Sequence, residues 1–454
     1  MEIEHQSQYI ALRQKYPEFT FEDYKVEYEA DAFSVTYFFR LGDTLTFCPS
    51  VKFIPPKAKY HNKLSEAQIS SFAFHIGMIE LISYWKAACS PKVIVKPYHL
   101  TPDMIKWWKK LYFNGLGEFF YLNRIDATIG NFMELEGTGG VLSGIDEFDF
   151  VQKRVLVPVG GGKDSVVTLE LLKAGDFDVV PFIVNPREAS LNCVIKAGFS
   201  EQDLFRVQRT IDPQLLQLNH EGFLNGHTPF SALLAFVSLP SAVICGAGHI
   251  ALSNESSANE STVLGSDINH QYSKTIDFEN DFRFYLNRYI NKTLNYFSFL
   301  RPLNELQIAQ RFSRLTQHHE VFRSCNVGSK SDSWCGHCPK CLFTAIMLAP
   351  FIGVEKVHHL FSSDLLNDNS LLPILEDLTG HTPVKPFECV GTVDEVSAAL
   401  LKIAGNGEWP ALVLSYINKE QIAPSETDFL RLLNEVNPVH NLHPEFLNLI
   451  SRSI

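Results

Sequence analysis

Two different periodicities divide the chain near residue 150. In the first part, FEDYKVEYEADAFSVTYFFRLGDTLTF alternates apolar and polar positions as a half-buried strand does, and Gly42-Asp43 interrupts it as a turn. Two later segments, SEAQISSFAFHIGMIELISYWKAA and TPDMIKWWKKLYFNGLGEFFYLN, have helical spacing, with Ser65 and Thr101 as the expected helix starts. These patterns predict an N-terminal α+β domain over residues 1–150, and the glycine- and acid-rich ELEGTGGVLSGIDEFD predicts a linker at its end.

After residue 150, short β-branched runs alternate with helical segments. The predicted strands are RVLVPV, DVVPFIV, LFRVQRTI and SAVICGAG, and all but the third are continuous apolar runs, as expected for strands buried on both faces. Segments such as SVVTLELLKAG lie between them with helical spacing. This alternation predicts an α/β fold with a doubly wound parallel sheet over residues 151–320.

The sequence pattern of the remaining residues predicts helices. A segment with four cysteines occupies residues 321–350. At its end, CLFTAIMLAPFIG predicts a helix that stops at Pro350. Residues 351–454 are expected to form a helical C-terminal region.

Composition and charge restrict the class of protein. The 454 residues are 45% hydrophobic and 20% charged, which is typical of a globular protein, and no apolar run is long enough to span a membrane. The polar, acidic N-terminus does not resemble a secretory signal, so a cytoplasmic location is expected. The formal net charge of −12 argues against a nucleic-acid partner, because phosphate backbones require a basic surface.

The stretch VLVPVGGGKDSVVTLELLKAG predicts an anion site. Gly160, Gly161 and Gly162 separate a strand from a helix, and such glycines let backbone N–H groups approach a phosphate closely. The spacing does not match a Walker loop, because Asp164 follows Lys163 where Ser or Thr is required. It does not match a dinucleotide fingerprint either, which would require glycine at Ser165.

Four of the nine cysteines predict a metal site. Cys325, Cys335, Cys338 and Cys341 have the spacing C-x9-C-x2-C-x2-C, with which four thiolates can surround a zinc ion and leave no open position. Such a site is structural. An iron–sulfur cluster is the alternative.

The glycine stretch resembles the SGGxDS loop of the PP-loop ATP pyrophosphatases, which split ATP into AMP and pyrophosphate while adenylating a substrate. Gly161, Gly162, Asp164 and Ser165 match that loop, whereas Gly160 replaces its first serine. The resemblance implies that residues 160–165 bind ATP, that Lys163 adds positive charge, and that Asp164 acts in catalysis with magnesium.

Combined with this loop, the cysteine spacing resembles the 7-cyano-7-deazaguanine synthases, although those proteins are roughly half as long. A wider set of segments resembles the UDP-N-acetylmuramoyl-L-alanyl-L-glutamate epimerases: PVGGGKDSVVTLELL, NGHTPFSALLAF, SNESSAN, HQYSKT, CGHCPKCLF and KPFECVGT. The resemblance implies ATP- and magnesium-dependent inversion of the terminal L-glutamate of the UDP-N-acetylmuramoyl dipeptide, in peptidoglycan precursor synthesis.

The residues that move the proton are less well defined by the sequence. His227 and His270 are the expected acid–base residues, and other candidates in the same loops are His249, Glu255, Asn259, Glu260, Tyr272 and Lys274. Two alternative functions remain open: an ATP-dependent amidating or nitrile-forming ligase of the deazaguanine type, and a nucleotide-binding scaffold without catalysis.

Overall fold

The computed structural model describes residues 2–29, 31–142 and 148–452 of the chain. Two compact units are formed from alternating segments. The first unit comprises Met1–Leu156, Gln202–Ile250 and Tyr272–Asn295, and the second comprises Val157–Glu201, Ala251–Gln271 and Tyr296–Ile454. The predicted division into segments 1–150, 151–320, 321–350 and 351–454 stays a prediction.

The helices and strands are numbered in chain order. The N-terminal part contains α1 (Glu2–Lys15), β1 (Glu18–Tyr28), β2 (Phe33–Leu41), β3 (Leu45–Phe47), β4 (Ser50–Ile54), α2 (Glu66–Trp85), β5 (Lys92–Val95), α3 (Pro102–Gly115), α4 (Gly117–Leu122) and β6 (Glu134–Gly137). The middle part contains β7 (Arg154–Pro158), α5 (Lys163–Ala174), β8 (Asp178–Val184), α6 (Glu188–Lys196), β9 (Phe205–Thr210), α7 (Pro213–His220), α8 (Phe230–Cys245), β10 (His249–Leu252), α9 (Ile276–Tyr285), β11 (Asn295–Ser298) and α10 (Glu305–Arg314). The C-terminal part contains α11 (Pro339–Ile352), α12 (Val354–Phe361), α13 (Leu372–Leu378), α14 (Val393–Gly405), α15 (Ala411–Glu420), α16 (Thr427–Asn434) and α17 (Pro444–Arg452).

In the first unit, a mixed sheet has the strand order β9-β4-β2-β1-β5-β6. The pairs β1–β2, β2–β4 and β4–β9 are antiparallel, whereas β5 runs parallel to both β1 and β6. Alternate residues of β2 are buried, as the period-2 pattern predicts. Helix α2 is buried along most of its length and packs on the sheet, where Tyr84 stacks on Phe39.

The second unit combines strand ends with many helices. It contains β8, the carboxyl ends of β7 and β10, and most of β11. Val159 N–H donates to the carbonyl oxygen of Phe182 at 2.8 Å, and Phe299 N–H donates to that of Leu252 at 2.7 Å. Helices α5, α6 and α10 to α17 complete the unit. The fold is therefore mixed α/β, and the doubly wound arrangement of the PP-loop type stays a prediction.

Most elements expected from the sequence are present. The turn at Gly42-Asp43 separates β2 from β3, and Ser65 and Thr101 are the N-caps of α2 and α3. Three of the four strand runs coincide with β7, β8 and β9. The C-terminal helices are also confirmed.

The prediction of a strand at SAVICGAG is wrong. Residues up to Cys245 belong to α8, which is buried on almost all sides and ends at Gly246 in a left-handed conformation (φ 68°). A helix that is apolar all round has no polar face to reveal its period, so its sequence cannot be distinguished from a buried strand. The strand of this region is β10, which begins four residues later.

Two further boundaries differ from the predictions. Helix α11 continues through Pro350 to Ile352, because a proline in the last turn removes only one backbone hydrogen bond. The predicted linker contains β6, which pairs with β5, and residues 143–147 of that linker lie outside the described part of the chain. No helix in the described ranges has the length and apolar character needed to cross a membrane.

Candidate functional site

The glycine loop joins β7 to α5 as predicted. Gly162 is the N-cap of α5 and has no side chain to satisfy the first N–H groups of the helix. Ser165 Oγ donates to the carbonyl oxygen of Gly162 at 3.0 Å, and Arg323 N–H donates to that of Gly161 at 2.8 Å. The loop is thus fixed through its carbonyl groups, and the positive end of the α5 dipole remains suited to an anion.

The three glycines have different structural requirements. Gly161 has φ +91°, and a Cβ atom there would lie 2.9 Å from the backbone nitrogen of Ser190. A Cβ atom on Gly162 would lie 3.4 Å from Cβ of Ser324, whereas one on Gly160 would meet no atom within 4 Å. Of the three positions, only position 161 therefore requires glycine both for its backbone conformation and because a Cβ atom would not fit.

We expect Gly161→Ala to destabilise the protein by about 1–3 kcal/mol, because alanine is strained at this φ and its methyl group would displace the start of α6. Gly160→Ser, which restores the hydroxyl of the related loops, is the matched control and should leave the melting temperature unchanged. Thermal unfolding of both variants measures the difference. Equal stability of the two variants would contradict the structural requirement for glycine at position 161.

Lys163 is buried between two carboxylates. Lys163 is the first residue of α5 and is 3% exposed, and its Nζ donates to Asp164 Oδ1 and Glu305 Oε2. Burial alone would lower the pKa of Lys163, but the two carboxylates raise it above its usual value. Lys163 therefore stays charged, and its charge is shared with carboxylates of the protein.

Three acidic side chains meet beside Lys163. Asp164, Glu255 and Glu305 each offer one carboxylate oxygen, and these oxygens lie within 4.8 Å of one another. Glu255 and Glu305 are buried. Burial raises the pKa of Glu305, and the neighbouring carboxylates of Asp164 and Glu255 add to this effect while Lys163 opposes it. Hard cations such as Mg²⁺ prefer oxygen ligands, so this cluster has a suitable donor set for one.

A fourth carboxylate, that of Glu395, supports the cluster from α14. Its Oε1 accepts from Ser257 Oγ at 2.6 Å and from the backbone N–H of Glu305 at 2.7 Å. Its Oε2 accepts from the N–H and hydroxyl of Thr392, at 2.6 and 2.9 Å. Because Glu395 is 1% exposed and its carboxylate has four donors, it fixes the start of α10 and the loop that carries Glu255.

The segment RPLNELQ supplies the remaining support. Arg301 is fully buried, and its guanidinium donates to the backbone carbonyl of Glu255 at 2.5 Å and to Ser298 Oγ at 3.1 Å. Asn304 and Gln307 form a capping box that begins α10 at Glu305. No local sequence pattern predicts a role for Glu305, Glu395 or Arg301 in the site, although the capping boxes at Asn304 and Thr392 are visible in the sequence.

The two histidines proposed for proton transfer belong to different units. His227 lies in the first unit, where its Nδ1 is 3.7 Å from Oε2 of Glu118. His270 lies in the second unit, and its backbone N–H donates to Thr262 Oγ1 at 3.0 Å. In the second unit, burial raises the pKa of Glu388, and the charges of Lys340 and His270 oppose that rise.

The other candidates have varied surroundings. Glu255 belongs to the carboxylate cluster, whereas Glu260 forms an ion pair with the buried Lys385. Asn259 Nδ2 donates to the carbonyl oxygen of Ser256 at 3.0 Å. His249, Tyr272 and Lys274 lie in the first unit.

The four predicted cysteines come together in the second unit. Cys338 Sγ lies 3.7 Å from Cys325 Sγ and 3.5 Å from Cys341 Sγ, and Cys335 Sγ lies 3.8 Å from Cys341 Sγ. Four sulfurs placed tetrahedrally about 2.3 Å from one ion would be about 3.8 Å apart, so the spacing fits a single tetrahedral metal ion. His337 is exposed, and its Nδ1 lies 2.7 Å from the carbonyl oxygen of Cys335, consistent with a position outside the ligand set.

These features define a mixed α/β protein with a glycine loop at the start of α5, an acidic cluster beside it and four clustered cysteines whose sulfur spacing suits a metal ion. Family models for the MurL N-terminal domain and the MurL C-terminal domain match residues 11–299 and 321–428. The chain therefore belongs to the MurL family. No solved structure gives a significant match.

Curated relatives extend over most of the chain. Two of them, from Micromonospora sp. and Salinispora tropica, are named UDP-N-acetyl-alpha-D-muramoyl-L-alanyl-L-glutamate epimerase. Each is 37% identical over 334 residues, which cover 72% of this chain and 73% and 72% of the respective relatives. A protein with the same name from Xanthomonas oryzae pv. oryzae is 30% identical over 361 residues, which cover 77% of this chain and 79% of that relative.

Proposed function

We propose that this chain inverts the terminal L-glutamate of UDP-N-acetylmuramoyl-L-alanyl-L-glutamate to D-glutamate, using ATP to form an acyl adenylate. The observation that carries the proposal is the 37% identity, over 72% of the chain, to relatives named for this epimerisation. The glycine loop and the acidic cluster support the ATP-dependent step, since together they offer an anion site beside a cation site.

Activation of the carboxylate explains why such a reaction would need ATP. Removing the α-proton beside a carboxylate places a second negative charge next to the first. An acyl adenylate removes the first charge and makes the carbonyl group an acceptor for the electron pair. A general base then takes the proton from one face, and a general acid returns a proton to the other. Hydrolysis of the adenylate releases the product.

The glycine loop is proposed to hold the phosphates of ATP. The first N–H groups of α5 and the dipole of that helix attract a polyanion, and Gly161 gives the loop its left-handed turn. Asp164, Glu255 and Glu305 would hold Mg²⁺, which supplies charge neutralisation for the phosphates when bound. The positive charge of Lys163 partly neutralises the carboxylates of the acidic cluster.

The four cysteines are proposed to hold one zinc ion in a structural role. All four sulfurs would be ligands, so no coordination position is left for a substrate. Such an ion would fix residues 325–341 at the start of α11, one of the most buried helices of the second unit.

His227 and His270 are the proposed acid–base residues. Each is partly exposed, which gives its imidazole access to a ligand, and imidazole titrates near neutral pH. Replacing either histidine should leave adenylation intact and abolish proton exchange if that residue transfers the α-proton.

The deuterium content of the product tests the function. We expect the D-glutamyl product formed in deuterated water with ATP and magnesium to carry deuterium at its α-carbon, because inversion requires loss of the original proton. Omitting ATP should stop the exchange, since the unactivated carboxylate cannot stabilise the carbanion. Chiral analysis and mass spectrometry of the released glutamate measure both results.

A ligase of the deazaguanine type would give a different result. It would return the L-glutamyl nucleotide unlabelled and consume ATP only when ammonia is supplied. That outcome would contradict the epimerase proposal.

A further inference from the structure

The segment KPFECVGT, residues 385–392, forms an irregular loop before α14 in the second unit. Two side chains of the cysteine segment contact this loop. Lys340, the second residue of α11, lies between two of the clustered cysteines in the chain and is 8% exposed, and its Nζ donates to the carbonyl oxygen of Cys389. Nδ2 of Asn326 donates to Oε2 of Glu388. The cysteine segment therefore holds the loop at two consecutive residues.

Further hydrogen bonds hold the rest of the loop. Nε2 of Gln271 donates to the carbonyl oxygen of Val390 at 3.2 Å, and Nζ of Lys385 donates to that of Gly391 at 2.9 Å. With the contact described above, three consecutive carbonyl groups of the loop are each bound by a side chain. The loop backbone therefore has a defined position where it enters α14.

The C-terminal end of the loop is connected to the acidic cluster through Glu395. Thr392, the N-cap of α14, donates from its N–H and its hydroxyl to Oε2 of Glu395 at 2.6 and 2.9 Å. The other oxygen of Glu395 accepts from the backbone N–H of Glu305 at 2.7 Å and from Ser257 Oγ at 2.6 Å. A continuous series of contacts therefore leads from Lys340 to a carboxylate of the acidic cluster.

We propose that Lys340, with the help of Asn326, positions the cation site: through the 385–392 loop and Glu395, it sets the carboxylates of the acidic cluster for a divalent cation. This inference rests on the proposed function, which places Mg²⁺ at that cluster. Lys340 is a positioning residue in this role, because it acts through the loop backbone and not on the nucleotide. Such outer partners of metal ligands typically contribute about 10- to 100-fold to metal affinity.

The charge of Lys340 has an effect of the opposite sign. Burial raises the pKa of Glu305, and the positive charges of Lys163 and Lys340 oppose that rise. Removing the charge of Lys340 would by itself strengthen the binding of another cation at the cluster. Loss of the contact with the loop would weaken that binding, because the carboxylates would no longer be held in place. The direction of the change therefore distinguishes positioning from charge.

Lys340→Met in the full-length protein tests the role, because methionine has a similar length and no N–H donor. Lys356→Met is the matched control, since Lys356 is an exposed lysine of α12 in the same unit and its replacement changes the charge equally. Mn²⁺ accepts the oxygen ligands that Mg²⁺ accepts, and electron paramagnetic resonance of free Mn²⁺ measures its binding without nucleotide. The cluster site is the Mn²⁺ site that Asp164→Asn removes.

Lys340→Met should weaken Mn²⁺ binding at the cluster about 10-fold, and Lys356→Met should bind like the wild type. The metal content of the cysteine site should stay at the wild-type value, because all four cysteines are retained. Unchanged or tighter Mn²⁺ binding in Lys340→Met would overturn the proposal, and so would loss of the metal from its cysteine site. A wild-type protein without an Asp164-dependent Mn²⁺ site would overturn it as well.

Asn326→Ala provides a second variant that leaves the charge unchanged. Asn326 is exposed, so its replacement should not unfold the protein, and thermal unfolding checks this for every variant. It should weaken Mn²⁺ binding in the same direction as Lys340→Met. If Lys340→Met does not fold, wild-type Mn²⁺ binding by Asn326→Ala overturns the proposal.

The double variant Lys340→Met with Glu395→Gln tests the route. An amide at position 395 cannot accept hydrogen bonds from all four donors, so Glu395→Gln should weaken Mn²⁺ binding, and Lys340→Met should then cause no further weakening. Equal weakening by Lys340→Met with and without Glu395→Gln would show that Lys340 does not act through Glu395, and the inference would be wrong. A wild-type protein that forms no D-glutamyl product would instead contradict the proposed function, whatever the Mn²⁺ affinities.

Discussion

Asp164→Asn is expected to abolish the formation of AMP and pyrophosphate while the protein stays folded. Asp164 lies in the first turn of α5, and its carboxylate faces Lys163 within the acidic cluster. The amide of asparagine has nearly the same shape but cannot neutralise Lys163 or offer an anionic ligand to a cation. Loss of charge stabilisation at a phosphoryl site lowers kcat by at least about 10²- to 10³-fold.

The side chain of Asp164 is 27% exposed, and the buried Lys163 keeps Glu305 as its second carboxylate partner, so the variant should remain folded. Glu188→Gln is the matched control, because Glu188 is an exposed acid in the first turn of α6, the next helix of the same unit. Separation of the nucleotide products measures turnover, and thermal unfolding measures stability. ADP and phosphate as the wild-type products would contradict the proposed attack at the α-phosphate, and full activity of Asp164→Asn would contradict the role of this residue.

Local sequence signals predicted the elements that have a polar face or a capping residue. Helices α2 and α3 were located correctly because Ser65 and Thr101 mark their starts. Helix α8 has no such signal, because burial on almost all sides removes the polar positions that would reveal a period of 3.6 residues. The wrong strand prediction therefore concerns a segment whose continuous apolar run is compatible with both a buried helix and a buried strand.

The candidate site shows a similar division. The sequence indicated the glycine loop and the cysteines, because each set is compact in the chain and has a characteristic spacing. Glu305 lies 142 positions from Lys163, and Glu395 lies 90 positions from Glu305. Such contacts form where two helices begin close together in the fold, and no local sequence pattern predicts which helices do so. The capping boxes at Asn304 and Thr392 predict the helix starts, but not that Glu395 is buried against Glu305.

Cys338→Ser is expected to remove the metal ion and to destabilise the second unit strongly. Cys338 is the N-cap of α11 and is 6% exposed, and its sulfur lies within 3.7 Å of those of Cys325 and Cys341. A serine hydroxyl is a poor ligand for zinc, so three thiolates would remain for a site that requires four. A structural zinc ion contributes on the order of 10 kcal/mol to the order of its loop, and much of that contribution should be lost.

Purified wild-type protein should contain about one zinc ion per chain, and Cys338→Ser should contain almost none. Cys48→Ser is the matched control, because Cys48 is an exposed free thiol of the first unit and its replacement makes the same chemical change. Elemental analysis and thermal unfolding of the three proteins measure the two effects. Iron with inorganic sulfide in the wild-type protein would identify a cluster in place of zinc. If metal-free Cys338→Ser kept the stability of the wild type, α11 would fold without the ion. The buried residues of this helix from Leu342 to Ala349 would then be enough to hold it in the unit.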